Sequence, residues 1–161
     1  MYRLCMTEPK TIIGWKEWIA LPAIHIPALK VKVDTGARTS SLHAEHIEHF
    51  QKNGIAYVRF EVHPIQKNKA IAILCEAPLI EHRHVKSSCG EEEHRPVIMT
   101  TLVLGNTQCE IELNLTNRDY MGFRMLLGRN AAIANHLIID PGQKFLHRKV
   151  RKKEIPLLYP L

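Results

Sequence analysis

The stretch richest in chemistry is Leu29-Lys30-Val31-Lys32-Val33-Asp34-Thr35-Gly36-Ala37-Arg38-Thr39-Ser40. An apolar strand pattern runs straight into Asp-Thr-Gly. Such a strand delivers the Asp34 carboxylate at its tip on a rigid support, where it can act as a general base. Thr35 offers a hydroxyl that can bond nearby backbone and lock the turn. Gly36 permits a tight turn and lets its amide approach the carboxylate.

Ten histidines invite a metal reading. His43, His46 and His49 repeat every third residue, and on a helix His43 and His49 would stand about 120° apart, so all three could not meet one ion. There is no His-Glu-x-x-His, and Glu45-His46 and Glu48-His49 run in the wrong order for it. His82, His84, Cys89 and His94 form the better candidate set, without the tight pairs of structural zinc sites. No phosphate-binding Gly-rich motif is present, so ATP has no evident seat. Cys89 lies between His84 and His94, but a thiol nucleophile needs a held base and orienting group, and this segment is polar. Cys75 and Cys109 sit in apolar strand patterns and read as core residues.

The elements that would position Asp34 are mostly short strands. Residues 15–20, 24–33, 55–62, 70–75, 97–104 and 109–115 have strand patterns, and Gly105-Asn106-Thr107 joins the last two as a hairpin. Helices are expected over Ser41–Lys52, ended by Asn53-Gly54, and over Arg129–His136 after Gly128. Residues 81–96 read as a long polar loop or an extended hairpin tip. The count predicts an all-β barrel or sandwich with minor helix.

The chain of 161 residues is one domain by size, with no apolar run long enough to cross a bilayer as a helix. No signal peptide is evident at its start. Four cysteines without a C-x-x-C pair read as reduced thiols, hence a cytoplasmic protein. The net charge of +6 is concentrated at the end. Lys144, Arg148, Lys149, Arg151, Lys152 and Lys153 face Glu154 alone, whereas the body is nearly neutral. That tail reads as a solvated arm, with RNA or an acidic protein as the partner it could meet.

Met125-Leu126-Leu127-Gly128-Arg129-Asn130 follows Asp34 by some ninety residues and leads into the second expected helix. Together with Asp34-Thr35-Gly36-Ala37 it resembles the active-site turn of retropepsins, in which two apolar residues and a glycine pack beside the catalytic turn. Asp34 through Ala44, Arg95-Pro96-Val97-Ile98, Arg118, Met121 and Leu126-Leu127-Gly128-Arg129 are similar to a bacterial retropepsin-like family often labelled ATP-dependent zinc proteases. The resemblance implies a closed six-stranded acid-protease barrel over residues 12–147, with 1–11 as an extension and 148–161 as a basic tail. Some members of that family occur beside ATP-grasp ligases that add glutamates to a ribosomal protein, and some are thought to trim such tails.

The resemblance also implies an aspartic peptidase whose catalytic turn is Asp34, Thr35 and Gly36. Such enzymes need two carboxylates sharing a proton. With one Asp-Thr-Gly, a homodimer placing two Asp34 residues face to face is expected. Asp140-Pro141-Gly142 reads as an ordinary turn. Asp119 reads as a partner for Arg118 or Arg129. Ala37, Arg38, Arg95, Arg118 and Arg129 are the expected substrate contacts, with Arg124 nearby. Arginine grips carboxylates bidentately, so an acidic or glutamate-rich tail is the expected substrate. The basic tail could bring the protein to the ribosome. No cofactor, zinc or ATP requirement and no membrane partner is expected. The alternatives are a non-catalytic barrel that binds acidic peptides and a zinc-dependent hydrolase. A retropepsin flap would fall at Ile55–Cys75.

Overall fold

The computed structural model describes residues 8–87, 89–117 and 122–160. In chain order the elements are β1 (Thr11–Gly14), β2 (Lys16–Leu21), β3 (Ile26–Asp34), β4 (Ser40–His43), β5 (Glu45–Lys52) and β6 (Ile55–Val62). They continue with β7 (Ile73–Lys86), β8 (Glu92–Leu104), β9 (Thr107–Thr116), β10 (Met125–Gly128), α1 (Arg129–Ala134), β11 (Leu137–Asp140) and α2 (Ile155–Leu158). The all-β expectation holds.

Nine strands run in the order β2-β3-β10-β4-β9-β8-β7-β6-β5, and β2 also pairs with β8 through Ala20 and Val103. That last pairing closes β2, β3, β10, β4, β9 and β8 into a ring of six. Period-two patterning fills the ring. On β2, Ile19 and Leu21 point inward and Lys16 and Trp18 outward. Leu29 and Val31 of β3, Leu42 of β4, Leu102 and Leu104 of β8, Leu113 and Leu115 of β9, and Met125 and Leu127 of β10 complete a core with almost no exposed surface. Burying each such side chain contributes about 1.5–3 kcal/mol.

β10 is wedged between β3 and β4, parallel to the first and antiparallel to the second. It enters from the far end of the sequence, so the segment between β3 and β4 must loop around it. β1 and β11 form a separate parallel pair that repeats this device. Gly14 stands opposite Asp140 as Gly128 stands opposite Asp34. The amide after each glycine donates to the carbonyl three residues past the aspartate: Trp15 to Gln143 at 2.9 Å, Arg129 to Ala37 at 2.8 Å. The Gly142 amide reaches the Asp140 carboxylate at 2.9 Å, as the Gly36 amide reaches that of Asp34 at 3.0 Å.

Two expectations need correction. Ser41–Lys52 is not a helix but the strands β4 and β5. Its polar run carries no clear period, and pairing with β6 decides the matter. Asn53 and Gly54 have φ of 53° and 76°, the left-handed pair of a two-residue hairpin turn, so they join strands where a helix stop was expected. Residues 81–96 are the outer halves of β7 and β8, the extended-hairpin alternative. The basic C-terminal segment is not a solvated arm. Tyr159 is buried, donates its hydroxyl to the Ala28 carbonyl and accepts from the Ala28 amide at 3.2 Å. Arg148 donates to the Pro27 carbonyl at 2.8 Å, and Tyr159 packs in a second apolar cluster with Trp18, Ala28, Ile65 and Ile71 on the outer face of β2 and β3. Among the described residues no helix is long and apolar enough to cross a membrane.

Candidate active site

Asp34 ends β3, half-buried, with its Oδ1 accepting hydrogen bonds from the Gly36 and Ala37 amides at 3.0 and 3.2 Å. Two amides on one oxygen fix the carboxylate plane and leave the other oxygen to face the cleft. The turn is itself held from below. The Gly128 amide donates to Ser40 Oγ at 3.0 Å, and the Arg129 and Asn130 amides donate to the Ala37 and Arg38 carbonyls at 2.8 and 3.0 Å. A Cβ on Gly128 would lie 2.4 Å from the Thr39 carbonyl carbon and 2.5 Å from its oxygen, so only glycine lets β10 come this close.

The far side is braced by buried Asn114 of β9. Its Nδ2 donates to Thr39 Oγ1 at 3.1 Å and to the Ser40 carbonyl at 2.8 Å, while its Oδ1 accepts from Ser41 Oγ at 2.8 Å and from the Arg95 guanidinium at 3.0 Å. Arg95 is 6% exposed and spends its Nε on Glu93 at 3.0 Å. The sequence reading missed Asn114 because a polar residue within an apolar strand carries no spacing signal.

These walls enclose a cleft of about 880 Å³ that contains Asp34, Gly36, Ala37 and Arg38 from the turn, Arg95 and Thr116 from its brace, and Arg124 from beside β10. Over it stands the tip of the β7–β8 hairpin, which contributes Arg83, His84, Val85, Lys86 and Ser87. The cover is therefore this hairpin. No residue of Ile55–Cys75 lines the cleft, because that segment is drawn into β6 and into the outer apolar cluster through Ile65 and Ile71. Arg83 and Lys86 escaped the sequence reading, and His84 was read only as a metal candidate, because the hairpin tip projects past the core and both its faces are polar. Among the cleft's described lining residues Asp34 is the sole carboxylate, facing Arg38, Arg83, Lys86, Arg95 and Arg124. Arg38 has no ion-pair partner among the described residues, whereas Arg83 is paired with Glu112 at 2.8 Å and with Glu81, bonds that raise its pKa despite partial burial.

Of the expected contacts, Ala37, Arg38 and Arg95 meet in the cleft with Asp34 and Gly36. Thr35 is exposed, and its hydroxyl makes no hydrogen bond among the described residues. It enters through its carbonyl, which accepts from Arg129 at 2.9 Å. That bond places Arg129 outside the cleft as a brace of the turn. Arg118 and Asp119 lie outside the described residues. Asp140 does not line the cleft and keeps its turn role.

The loop set of metal candidates is not gathered. His84 meets His94 across the hairpin with its ring tilted by 60° and centroids 3.5 Å apart, and His82 instead meets His49, Nε2 to Nε2 at 2.8 Å. Among the described residues the ligand atoms of Glu45, Glu61 and His63 do converge, within 4.8 Å of one another, but none of the three lines the cleft. Glu45 accepts from buried His43 at 3.3 Å and faces Lys69 and His63. Burial pushes the Glu45 carboxyl up, but the His43 hydrogen bond and the Lys69, His63 and His43 charges outweigh it and hold it below the ordinary carboxylate value. Burial pushes the Cys75 thiol up to about 12, as suits a core residue.

A strand-borne Asp-Thr-Gly turn pinned by a wedged glycine strand, in a six-stranded ring, defines a retropepsin-like domain. Residues 12–150 match the family described as RimB-like, the retropepsin-like aspartic endopeptidase RimB, and the chain belongs to that family. It is 47% identical over 154 residues to a probable alpha-L-glutamate ligase of Shewanella pealeana, covering 96% of this chain and 33% of that protein. A probable alpha-L-glutamate ligase of Parasynechococcus marenigrum is 43% identical over 150 residues, covering 93% and 32%. The chain thus spans about a third of the length of the curated relatives it matches. Among solved structures it is similar to a protein of unknown function from Legionella pneumophila subsp. pneumophila str. Philadelphia 1, with a TM-score of 0.71 and 32% identity, covering 87% of this chain and all of that one.

Proposed function

We propose that this chain is an aspartic-type peptidase domain that hydrolyses peptide bonds in acidic, glutamate-rich protein tails. The observation that carries the reading is the pairing of one rigidly held carboxylate, Asp34, with a cleft whose other charged lining groups are cations. Asp34 and a second Asp34 from another copy would share one proton. The ionised member takes a proton from water as it attacks the scissile carbonyl. The protonated member polarises that carbonyl and later supplies the leaving amine with its proton. Arg38, with Arg95 and Arg124 behind it, suits the side-chain carboxylates of the substrate. The curated relatives named as probable alpha-L-glutamate ligases carry a like domain, which supports a reading in which a glutamate-adding activity and one that removes glutamates work together in the cytoplasm. Contact of the basic C-terminal segment with the ribosome belongs to the same reading.

Asp34→Asn tests it. Cleavage of an oligoglutamate-tailed protein, followed by mass spectrometry, falls at least a hundredfold while the denaturation midpoint stays near that of the parent. Undiminished hydrolysis would sink the assignment. A second reading is favoured by the single carboxylate among the cleft's described lining residues in one copy: a barrel that holds acidic peptides without cutting them. It predicts oligoglutamate binding without product, from a protein that sediments as a monomer.

A further inference from the structure

A second cavity, of about 600 Å³, adjoins the cleft and shares Phe123 and Arg124 with it. Its other lining residues are Lys16, Lys30, Gln66, Lys67, Lys69 and Gly122. Among the described residues, five cations and no carboxylate line it. Lys69 leans toward Glu45 at 3.8 Å, but among the described residues no carboxylate lies within ion-pairing range of Lys16, Lys30 or Lys67.

The lysines are placed here by strand pairing. Lys16 of β2 is opposite Lys32 of β3, and Lys30 lies one step along the same face, opposite Trp18. Like charges that close repel one another. Their ammonium groups lie over aromatic rings: Lys16 over Trp15 and Phe145 at 4.6 and 5.3 Å, Lys30 over Trp18 and Phe145 at 5.2 and 5.7 Å. Burial and the Lys16 charge lower the pKa of Lys30, the signature of a cation lacking a counter-charge. A pocket of this volume accommodates a ligand of small-molecule size.

We propose that Lys16, Lys30 and Lys67, beside Arg124, form a remote subsite that binds the carboxylates of an acidic polypeptide whose other part occupies the Asp34 cleft. This rests on the acidic-tail reading above. Continuity with the peptide cleft through Arg124 selects a polypeptide over a nucleic acid. The aromatic faces here already carry lysine ammonium groups, which leaves them closed to stacked bases. The subsite makes recognition depend on substrate length. A short acidic end fills the cleft alone, and only a longer one reaches the lysines.

The test uses fluorescent triglutamate and a glutamate dodecamer as probes, with binding measured by anisotropy in an Asp34→Asn background so that nothing is consumed. Lys16→Gln combined with Lys30→Gln weakens the dodecamer about tenfold and flattens its salt dependence, while triglutamate binding is unchanged. Unchanged dodecamer affinity overturns the proposal. So does an equal loss for both lengths, or a single-stranded oligonucleotide of matched charge that binds the parent as tightly as the dodecamer. Length-dependent binding that needs the lysines, found in a chain whose unmodified form cuts no peptide, upholds the subsite and removes the peptidase reading instead.

Discussion

Replacing Gly128 by alanine puts the geometry of the turn under direct strain. The added methyl would lie 2.4 Å from the Thr39 carbonyl carbon, 2.5 Å from its oxygen and 2.9 Å from the Ser40 nitrogen, where ordinary contact begins at 3.4 Å. Backbone cannot swing aside as a side chain does, so β10 and the 34–40 turn must part by about 1 Å. Overpacking of this kind costs about 1–3 kcal/mol. The separation also stretches the Gly128–Ser40, Arg129–Ala37 and Asn130–Arg38 bonds, each of which contributes about 1 kcal/mol when well formed. The expected loss is about 3–5 kcal/mol, a large part of the 5–15 kcal/mol typical of a domain. With a urea slope of about 2 kcal/mol/M, the midpoint falls by about 2 M. Gly54→Ala is the control. Its φ is positive but nothing lies within 4 Å, so only backbone strain is added and the loss is smaller. A Gly128→Ala midpoint equal to that of the parent would refute the claim that β10 and the turn are in obligatory contact.

Glu17 is fully buried, and its two oxygens accept the Leu146 amide at 2.8 and 2.9 Å. Glu17→Gln, which keeps the shape and removes the charge, is expected to cost about 1.5–3 kcal/mol in urea unfolding. Alkaline pH should also weaken the fold. Burial raises Cys75 from 9.0 and Tyr159 from 10.0, each to about 12. Both folded values lie above the unfolded ones, so this stabilisation is complete below pH 9 and is lost as pH rises toward 12. Urea midpoints taken between pH 8 and 12 should fall across that window, and Cys75→Ser with Tyr159→Phe should flatten the decline.

Much of the site was legible because its signals are local. Asp34-Thr35-Gly36 after an alternating run states both strand and turn, and Leu127-Gly128 before a short helix states the wedge. Asn114 was hidden because its role exists only once β4 and β9 lie side by side. The hairpin over the cleft was hidden for a related reason: Arg83, His84 and Lys86 lie beyond the core, where neither face of a strand must be apolar, so alternation vanishes. The helix expected at Ser41–Lys52 failed where polar residues gave no period and Asn53-Gly54 suits both a helix end and a hairpin. The basic tail looked free because charge dominates it, while Tyr159, which buries itself against Ala28, is a lone aromatic among prolines and leucines.

The second glycine-pinned aspartate turn, at Asp140, gives the molecule an internal comparison. A glycine-amide latch is built twice, and the Asp34 copy, which takes a second amide from Ala37, opens onto a recess lined with cations. The glycine amide lies at nearly the same distance from the carboxylate in the two, 3.0 and 2.9 Å, so that shared bond does not distinguish Asp34. What sets Asp34 apart is its neighbourhood: the Ala37 amide, the arginines and the overhanging hairpin. Evolution or an engineer wishing to move the chemistry would therefore leave the latch untouched and transplant its surroundings.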